Sequence, residues 1–493
     1  MLVFLGSSYG MLLIIALNMC IFVIENLPII KMKKTRTSLA LAGVIIGVCS
    51  WAQTPVLDLQ ECLRIALSES PTIKVADLEV ERMDYSKKET IGQLLPTVDF
   101  GASYNRSLAK QVMYMNMDFG SLGGGSSEEE IPQSRASKSD GGIKVGLDNS
   151  YSVGFSAALP LIAPQLWKSL SISDSQILRS VETAMQSRQN LVNQVKSAFY
   201  SLLLAKDSKK VIQESYDMAK LTYETYSKQF SYGAASEYDV LRTSVAMKNI
   251  EPELMQADVA IRKARLQLII LMGMNTDFEF EVTDKLSNYE KTMYEETLSI
   301  NPDYANNADL RILDVDVQTL KKTVDLQKLA FTPTLALTAN YNWTSMSNGN
   351  PFRNFRWNPY SSLGLSLSFP IFQGGQRVNR LKQAKVQLTE LQLQRENLER
   401  SIAMQVDLAL DNVQVNVKQI ASCSESVSQA QRAYDIMVKS FDIGAASYLN
   451  LRDSELGLTR ARLAYYQAIY NYLIARSELE LLLGSAPEAS LSK

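Results

Sequence analysis

The sequence predicts an α+β membrane protein in which long coiled-coil helices and four transmembrane β-strands per chain are arranged as an internal two-fold repeat. Three observations carry this reading. Segments of about ten residues alternate apolar and polar side chains four times over. Two stretches, Trp167 to Phe230 and Gln376 to Phe441, contain neither proline nor glycine. One turn motif occurs twice.

Composition narrows the function before any motif does. The 493 residues carry 50 Lys and Arg against 52 Asp and Glu, a net charge of −2, which speaks against a nucleic-acid partner. The chain has 0 histidines, so His-based acid–base catalysis, Ser-His-Asp and Cys-His nucleophiles and His-containing zinc sites are all excluded. Of the four cysteines, Cys20 and Cys49 fall in the leader, and Cys62 and Cys423 form neither a CxxC motif nor a disulfide framework. They read as buried or idle thiols. No cofactor or metal is expected.

Residues 1–52 read as a leader. Met32-Lys33-Lys34-Thr35-Arg36 is basic, Leu39 to Val48 is apolar, and Ser50-Trp51-Ala52 places small residues at −3 and −1. This is a secretory signal over 32–52 with cleavage after Ala52 and a mature start at Gln53. The apolar stretch Met11 to Ile24 is superfluous to that signal, so Met32 is taken as the true start and 1–31 as an over-extension; a membrane anchor is the competing reading. Val48 before Cys49 is too bulky for a good lipoprotein signal.

The remainder is duplicated. Phe230-Ser231-Tyr232-Gly233-Ala234-Ala235-Ser236 recurs 211 positions on as Phe441-Asp442-Ile443-Gly444-Ala445-Ala446-Ser447, and Gly273 recurs as Gly484. Upstream the offset is 237, pairing Ile73-Lys74 with Leu310-Arg311 and Pro96-Thr97 with Pro333-Thr334. The difference is absorbed by one long polar, Gly/Ser-rich excursion in the first copy, between Asn105 and Asn149. The expected layout is a first repeat over 53–273, an inter-repeat segment over 274–306, a second repeat over 307–485 and a tail over 486–493. Each copy should run long helix, two strands, long helix, sharp turn, long helix.

The strands, expected near 95–105, 150–160, 334–343 and 361–370, have a period of two. Val98, Phe100, Ala102 and Tyr104 alternate with Thr97, Asp99, Gly101 and Ser103; Leu363, Leu365, Leu367 and Phe369 alternate with Gly364, Ser366 and Ser368. A soluble sandwich also yields such a pattern in a single strand. Four of them in an exported chain fit a barrel with lipid outside and water inside. Four strands cannot close around water, and an open sheet edge cannot face lipid, so other copies of the chain must complete the barrel. The uninterrupted helical stretches would reach about 95–100 Å at 1.5 Å per residue, with Leu381, Ala384, Leu388, Leu391, Leu398 and Ile402 as a packing seam broken by Arg395.

The repeated order of elements, Leu95-Pro96 and Pro333 opening strands, Phe369-Pro370-Ile371-Phe372-Gln373-Gly374-Gly375 closing one, and the Gly-Ala-Ala-Ser turns together resemble the TolC-type outer-membrane efflux protein family across residues 57–485. The resemblance implies a homotrimer in the outer membrane with a 12-stranded β-barrel that continues into a long periplasmic α-helical barrel. It implies docking on a periplasmic adaptor (membrane fusion) protein and an inner-membrane pump, and an equatorial place for 274–306. The implied function is a passive exit duct of a tripartite efflux or type I secretion system, and not an enzyme. The alternative is an envelope-spanning coiled-coil structural or adaptor protein without a pore, which would have no use for lipid-facing strands.

The same resemblance assigns the site. Gly233, Ala234, Ala235, Ser236 and Asp239, with Gly444, Ala445, Ala446 and Ser447, would be hairpin tips that dock the adaptor. Asn450 and Asp453, three apart on one helix face, would form the pore gate. Family members typically carry acids at both gate positions, so Asn450 leaves one carboxylate ring. The repeat sets Asp239 against Asn450 and Arg242 against Asp453, so only one copy is expected to line the constriction. Ala446 stands where a relative can place a basic residue linking the tips, so that latch is not expected here.

Overall fold

Local chemistry sets where the helices begin. Asp58 caps α1 (Leu59–Glu69) by accepting the Glu61 N–H at 2.8 Å. Pro71 opens α2 (Pro71–Gly92) and Pro164 opens α3 (Pro164–Ser231), at positions whose N–H would have no helical partner. Asn307 caps α6 (Ala308–Leu329) through the N–H groups of Asp309 and Leu310, at 3.0 and 3.2 Å. Gly374 and Gly375, at φ of 55° and 77°, turn the chain into α7 (Gln376–Asp442). The remaining helices are α4 (Glu237–Lys248), α5 (Glu251–Leu271) and α8 (Tyr448–Leu483). The computed structural model describes residues 55–113, 143–290, 303–350 and 356–485. The leader, the centre of the Gly/Ser-rich excursion and the C-terminal tail lie outside the described residues.

The strands are β1 (Thr97–Arg106), β2 (Gln111–Met113), β3 (Ile143–Val145), β4 (Asn149–Ile162), β5 (Thr334–Ser347) and β6 (Asn358–Ser368). Four of them form one antiparallel sheet in the order β1-β4-β5-β6. The register aligns all four alternations: Phe100 pairs with Phe155, Phe155 with Tyr341, and Tyr341 with Ser361. Val98, Ala157, Ala339 and Leu363 form the neighbouring row. One face is therefore largely apolar, broken at Ser361, and Leu363, Leu365 and Leu367 on the edge strand stand 67–75% exposed. The opposite face carries Ser, Thr, Asn, Gly and Asp99. Pro160 interrupts β4 at a register shift, the position at which a sheet tolerates a missing donor. The β2–β3 ladder, three residues long, lies inside the excursion, where only a loop was expected.

Aromatic rings gather at both ends of the sheet. At one end Tyr104 stacks on Tyr151 at 4.9 Å and Tyr341 meets Trp343 at 4.6 Å. At the other, Trp167, Phe369 and Phe372 are exposed, 51–83%. Such belts mark the two interfaces of a lipid layer. There Arg377 fastens the strand-to-helix corner, donating to the carbonyls of Ala330 at 3.2 Å and Pro370 at 2.6 Å while its guanidinium lies over Phe331. No helix among the described residues is long and apolar enough to cross a membrane.

Away from the sheet, α3 is the central column, packed by α2, α5, α6 and α8, while α7 rests on α8 and α6. The 68 residues of α3 and 67 of α7 give lengths of about 100 Å. On α7 the expected seam is buried or half-buried, and Arg395 is accommodated by Asp314 of α6 at 2.6 Å and Glu399 at 2.7 Å. The main hydrophobic core gathers α1, α3, α5 and α8, where Leu63, Phe199, Leu203, Ile269, Met272 and Tyr472 are 2% exposed or less. Each such side chain contributes about 1.5–3 kcal/mol of transfer free energy. The described first part of the inter-repeat segment, 274–290, packs there too: Phe280 and Leu286 are buried, Glu281 exchanges backbone hydrogen bonds with Pro55 and Leu57 at 3.0 and 2.9 Å, and Lys206 donates to the Val282 carbonyl at 2.7 Å. Cys62 is buried in this core, and burial pushes its thiol up to about 12, so it is no nucleophile.

One expectation is corrected. The returning helix of the first half is not continuous but breaks at Asn249-Ile250 between α4 and α5. The cause is Pro252, which has no N–H for the Lys248 carbonyl and sits in the first turn of a restarted helix. The repeat places Leu463 at the corresponding position of α8, which runs on.

Candidate functional site

At the end of the helical column farthest along the chain from the strands, α3 turns into α4 and α7 into α8, and the two turns have the same geometry. Gly233 and Gly444 adopt φ of 74° and 75°. The Ala234 N–H reaches back to the Gln229 carbonyl, and the Ala445 N–H to that of Ser440, both at 2.8 Å. This six-to-one bond with a left-handed glycine before it is a Schellman stop. Ala235 and Ala446 are half-buried under the turn and the other turn residues are exposed.

The restarts differ. Ser236 accepts the Asp239 N–H at 3.2 Å and donates its hydroxyl to the Asp239 carboxylate at 2.7 Å, a doubly tied cap. Ser447 accepts only the Asn450 N–H, at 3.4 Å. Asp239 is thereby occupied within its own turn. Arg242 is occupied across the turns: its guanidinium lies 4.6 Å from the ring centroid of buried Tyr448. Tyr226 packs edge-on against Tyr448 at 5.7 Å and tilted against Phe441 at 6.5 Å. Burial pushes the Tyr448 phenol up. The tips are thus linked although Ala446 supplies no basic group.

Asn450 and Asp453 share an exposed face of α8, and the Asp453 carboxylate has no hydrogen bond or ion pair with any described residue. The opposite face of the same turn is anchored. Glu455, 5% exposed, takes Arg452 at 2.7 Å and the Ser215 hydroxyl at 3.1 Å, and Arg462 joins Glu214 and Gln431, each at 2.7 Å. The Asp453 carboxylate is therefore presented on a fixed helix. Sequence reasoning missed the Tyr226–Phe441–Tyr448 cluster and the Glu455 anchor. Phe441 and Tyr448, an aromatic pair flanking the turn motif, were the available signal.

The site holds charge and shape. A sheet apolar on one face and small-polar on the other, continued by helices of about 100 Å that end in capped turns, defines a chain that walls a water-filled path through and beyond a lipid layer. The family described as Outer membrane efflux protein matches residues 62–274 and 303–485. The chain belongs to that family and is an outer-membrane exit duct of an efflux or secretion system, with a large periplasmic helical extension. It is 22% identical over 391 residues to the outer membrane protein TolC of Escherichia coli, covering 71% of this chain and 75% of the relative. It is 23% identical over 353 residues to the alkaline protease secretion protein AprF of Pseudomonas aeruginosa, covering 70% and 71%. Among solved structures, the Campylobacter jejuni CmeC outer membrane channel superposes with a TM-score of 0.64 at 16% identity, covering 92% of this chain and 94% of that one.

Proposed function

We propose that three copies of this chain close a 12-stranded barrel and a helical tube, forming a passive conduit whose energy comes from an inner-membrane pump joined through a periplasmic adaptor. The observation that carries this is the sheet: β1 and β6 are its two edges, with no strand beside either among the described residues, and its apolar face is exposed. Unpaired edges in lipid each leave a row of backbone groups without partners, at several kcal/mol per group. Pairing β6 of one chain with β1 of the next removes every edge.

The tips are the adaptor-docking ends, and Asp453 lines the constriction as one carboxylate ring. The tip contacts support this division. In the first half Asp239 and Arg242 are consumed by local contacts, while Asn450 and Asp453 stay free. The name of the relative AprF brings secreted protein into the range of cargo beside small molecules. In this reading the chain has no catalytic role. Native mass spectrometry in detergent is the test: a trimer is expected, and a stable monomer with full β content overturns the assembly.

A further inference from the structure

Between residues 450 and 470 of α8, six residues are exposed: Asn450, Asp453, Gly457, Arg460, Ala464 and Gln467. Their steps alternate three and four, so they occupy one face, and it is the face that carries the Asp453 carboxylate. Three arginines lie in this part of the helix. Arg452 is paired with Glu455 at 2.7 Å, and Arg462 with Glu214 at 2.7 Å and Gln431 at 2.7 Å. Arg460 makes no hydrogen bond or ion pair with any described residue, and no carboxylate stands three or four places from it on its own helix. Arg460 thus stands as an exposed, uncompensated guanidinium beside two arginines that are matched within the chain.

Gly457 lies between the two charges. It has ordinary helical φ, and a Cβ built on it meets nothing within 4 Å, so neither conformation nor crowding within the chain calls for glycine. Glycine inside a helix is destabilising relative to alanine. Around a threefold axis, however, three missing side chains one turn behind the Asp453 ring widen the passage there. The first half offers no equivalent: the 211 offset places Ala246 and Asn249 at these positions.

We propose that the three Arg460 side chains form a basic ring about 10 Å behind the Asp453 ring, that Gly457 opens a chamber between them, and that this ring is a transient binding site for multivalent anionic groups, carboxylate or phosphate, on passing cargo. The inference rests on the reading that Asp453 faces the axis. An acidic ring alone repels anions. A guanidinium ring about one Debye length behind it, at roughly 8–10 Å, offsets that repulsion where the passage is narrowest. Arginine's planar fork matches carboxylate and phosphate oxygens in a way that a lysine ammonium does not.

The test uses the full chain in planar bilayers, with inorganic tripolyphosphate as the anionic probe and hexaamminecobalt(III) as the cationic one, each added from the tip side. Arg460→Gln should weaken tripolyphosphate block at least about tenfold and move ion preference toward cations, and Arg460→Lys should retain most of the block. Hexaamminecobalt block should weaken in Asp453→Asn and persist in Arg460→Gln. Native mass spectrometry of each variant checks that the assembly is intact. Equal tripolyphosphate block in wild type and Arg460→Gln, or no block in the wild type, overturns the basic ring. Unchanged cation block in Asp453→Asn overturns the gate assignment instead, and the two failures are read on different variants.

Discussion

The first half of the chain returns from its tip through two helices, α4 and α5, broken at Asn249-Ile250, whereas the second returns through the unbroken 36 residues of α8. The tips differ in the same sense. The first spends its charged residues on contacts inside the protein, and the second leaves Asn450, Asp453 and Arg460 uncovered on an unbroken helix held from behind by Glu455 and Arg462. Duplication supplies two hairpins of one geometry. Divergence at a few positions, Pro252 against Leu463 and Arg242 against Asp453, makes one a brace and the other a presenting surface.

The halves share a glycine stop where α5 and α8 end, and breaking that stop should have the largest effect. Gly273 and Gly484 close these helices at φ of 70° and 64°. A Cβ on Gly273 falls 2.7 Å from the Glu69 carbonyl, and on Gly484 2.1 Å from that of Asn306. Both obstacles are backbone just ahead of the matching helix, Glu69 at the end of α1 before α2 and Asn306 before the cap of α6, so neither can yield cheaply. Gly484→Val should cost more than about 3 kcal/mol and Gly273→Val somewhat less, read as thermal unfolding followed by circular dichroism in detergent. Equal, small losses in both would mean that the clamps are not what joins returning and leading helices.

Arg242→Ala should cost about 1 kcal/mol, the range of a half-buried cation–π pair, and should loosen the tip so that the open fraction in bilayer recordings rises. Unchanged stability and gating would show that the brace is incidental. A smaller effect is expected at the far end of the molecule, where the halves are tied again. There Asp148 takes Lys110 at 3.1 Å and the Gly349 N–H at 3.4 Å, and Asn149 donates to the carbonyls of Ser347 and Gly349. The Lys110 ammonium, then the Gly349 N–H, hold the Asp148 carboxyl below its usual range. A depressed folded pKa gives stability that is complete above the unfolded value of about 3.9 and is lost as pH falls through the folded value. The melting difference between wild type and Asp148→Asn should therefore shrink below about pH 4. A difference constant with pH would assign it to shape and not to charge.

What could be read from the sequence follows from how local each cause is. The strands were legible because side-chain alternation is a property of consecutive residues, and Phe100, Phe155 and Tyr341 needed only correct register to share a face. The tips were legible because a left-handed turn demands glycine and a restart favours serine. The break at Asn249 carried a signal in Pro252, but the surrounding helical composition continued through it. The Arg242–Tyr448 contact, the Asp314 partner of Arg395 and the obstacle that fixes Gly484 all join residues far apart in the chain. They arise only when helices pack, so the local pattern held no trace of them.

The last comparison sets Asp453 against its counterpart Arg242, and here the expected change in stability is close to zero. The competing account of Asp453 is that a carboxylate near a helix N-terminus is held there by the helix dipole. That effect belongs to the first turn, whose N–H groups lack partners. With Ser447 as the cap, Asp453 is the sixth helical residue, beyond that turn, and it is exposed without a partner among the described residues. Asp453→Asn should therefore melt within about 0.5 kcal/mol of wild type, as an unpaired surface position does. Its effect should lie in conduction. Three carboxylates converging on one axis repel one another and favour cations, so the variant should lose cation preference and be blocked more weakly by a trivalent cation. Single-channel recordings and melts of the same preparation settle it. A variant that melts lower but conducts as before would place Asp453 in the helix's own electrostatics, and the division between bracing and presenting tips would then have to rest on Arg242 alone.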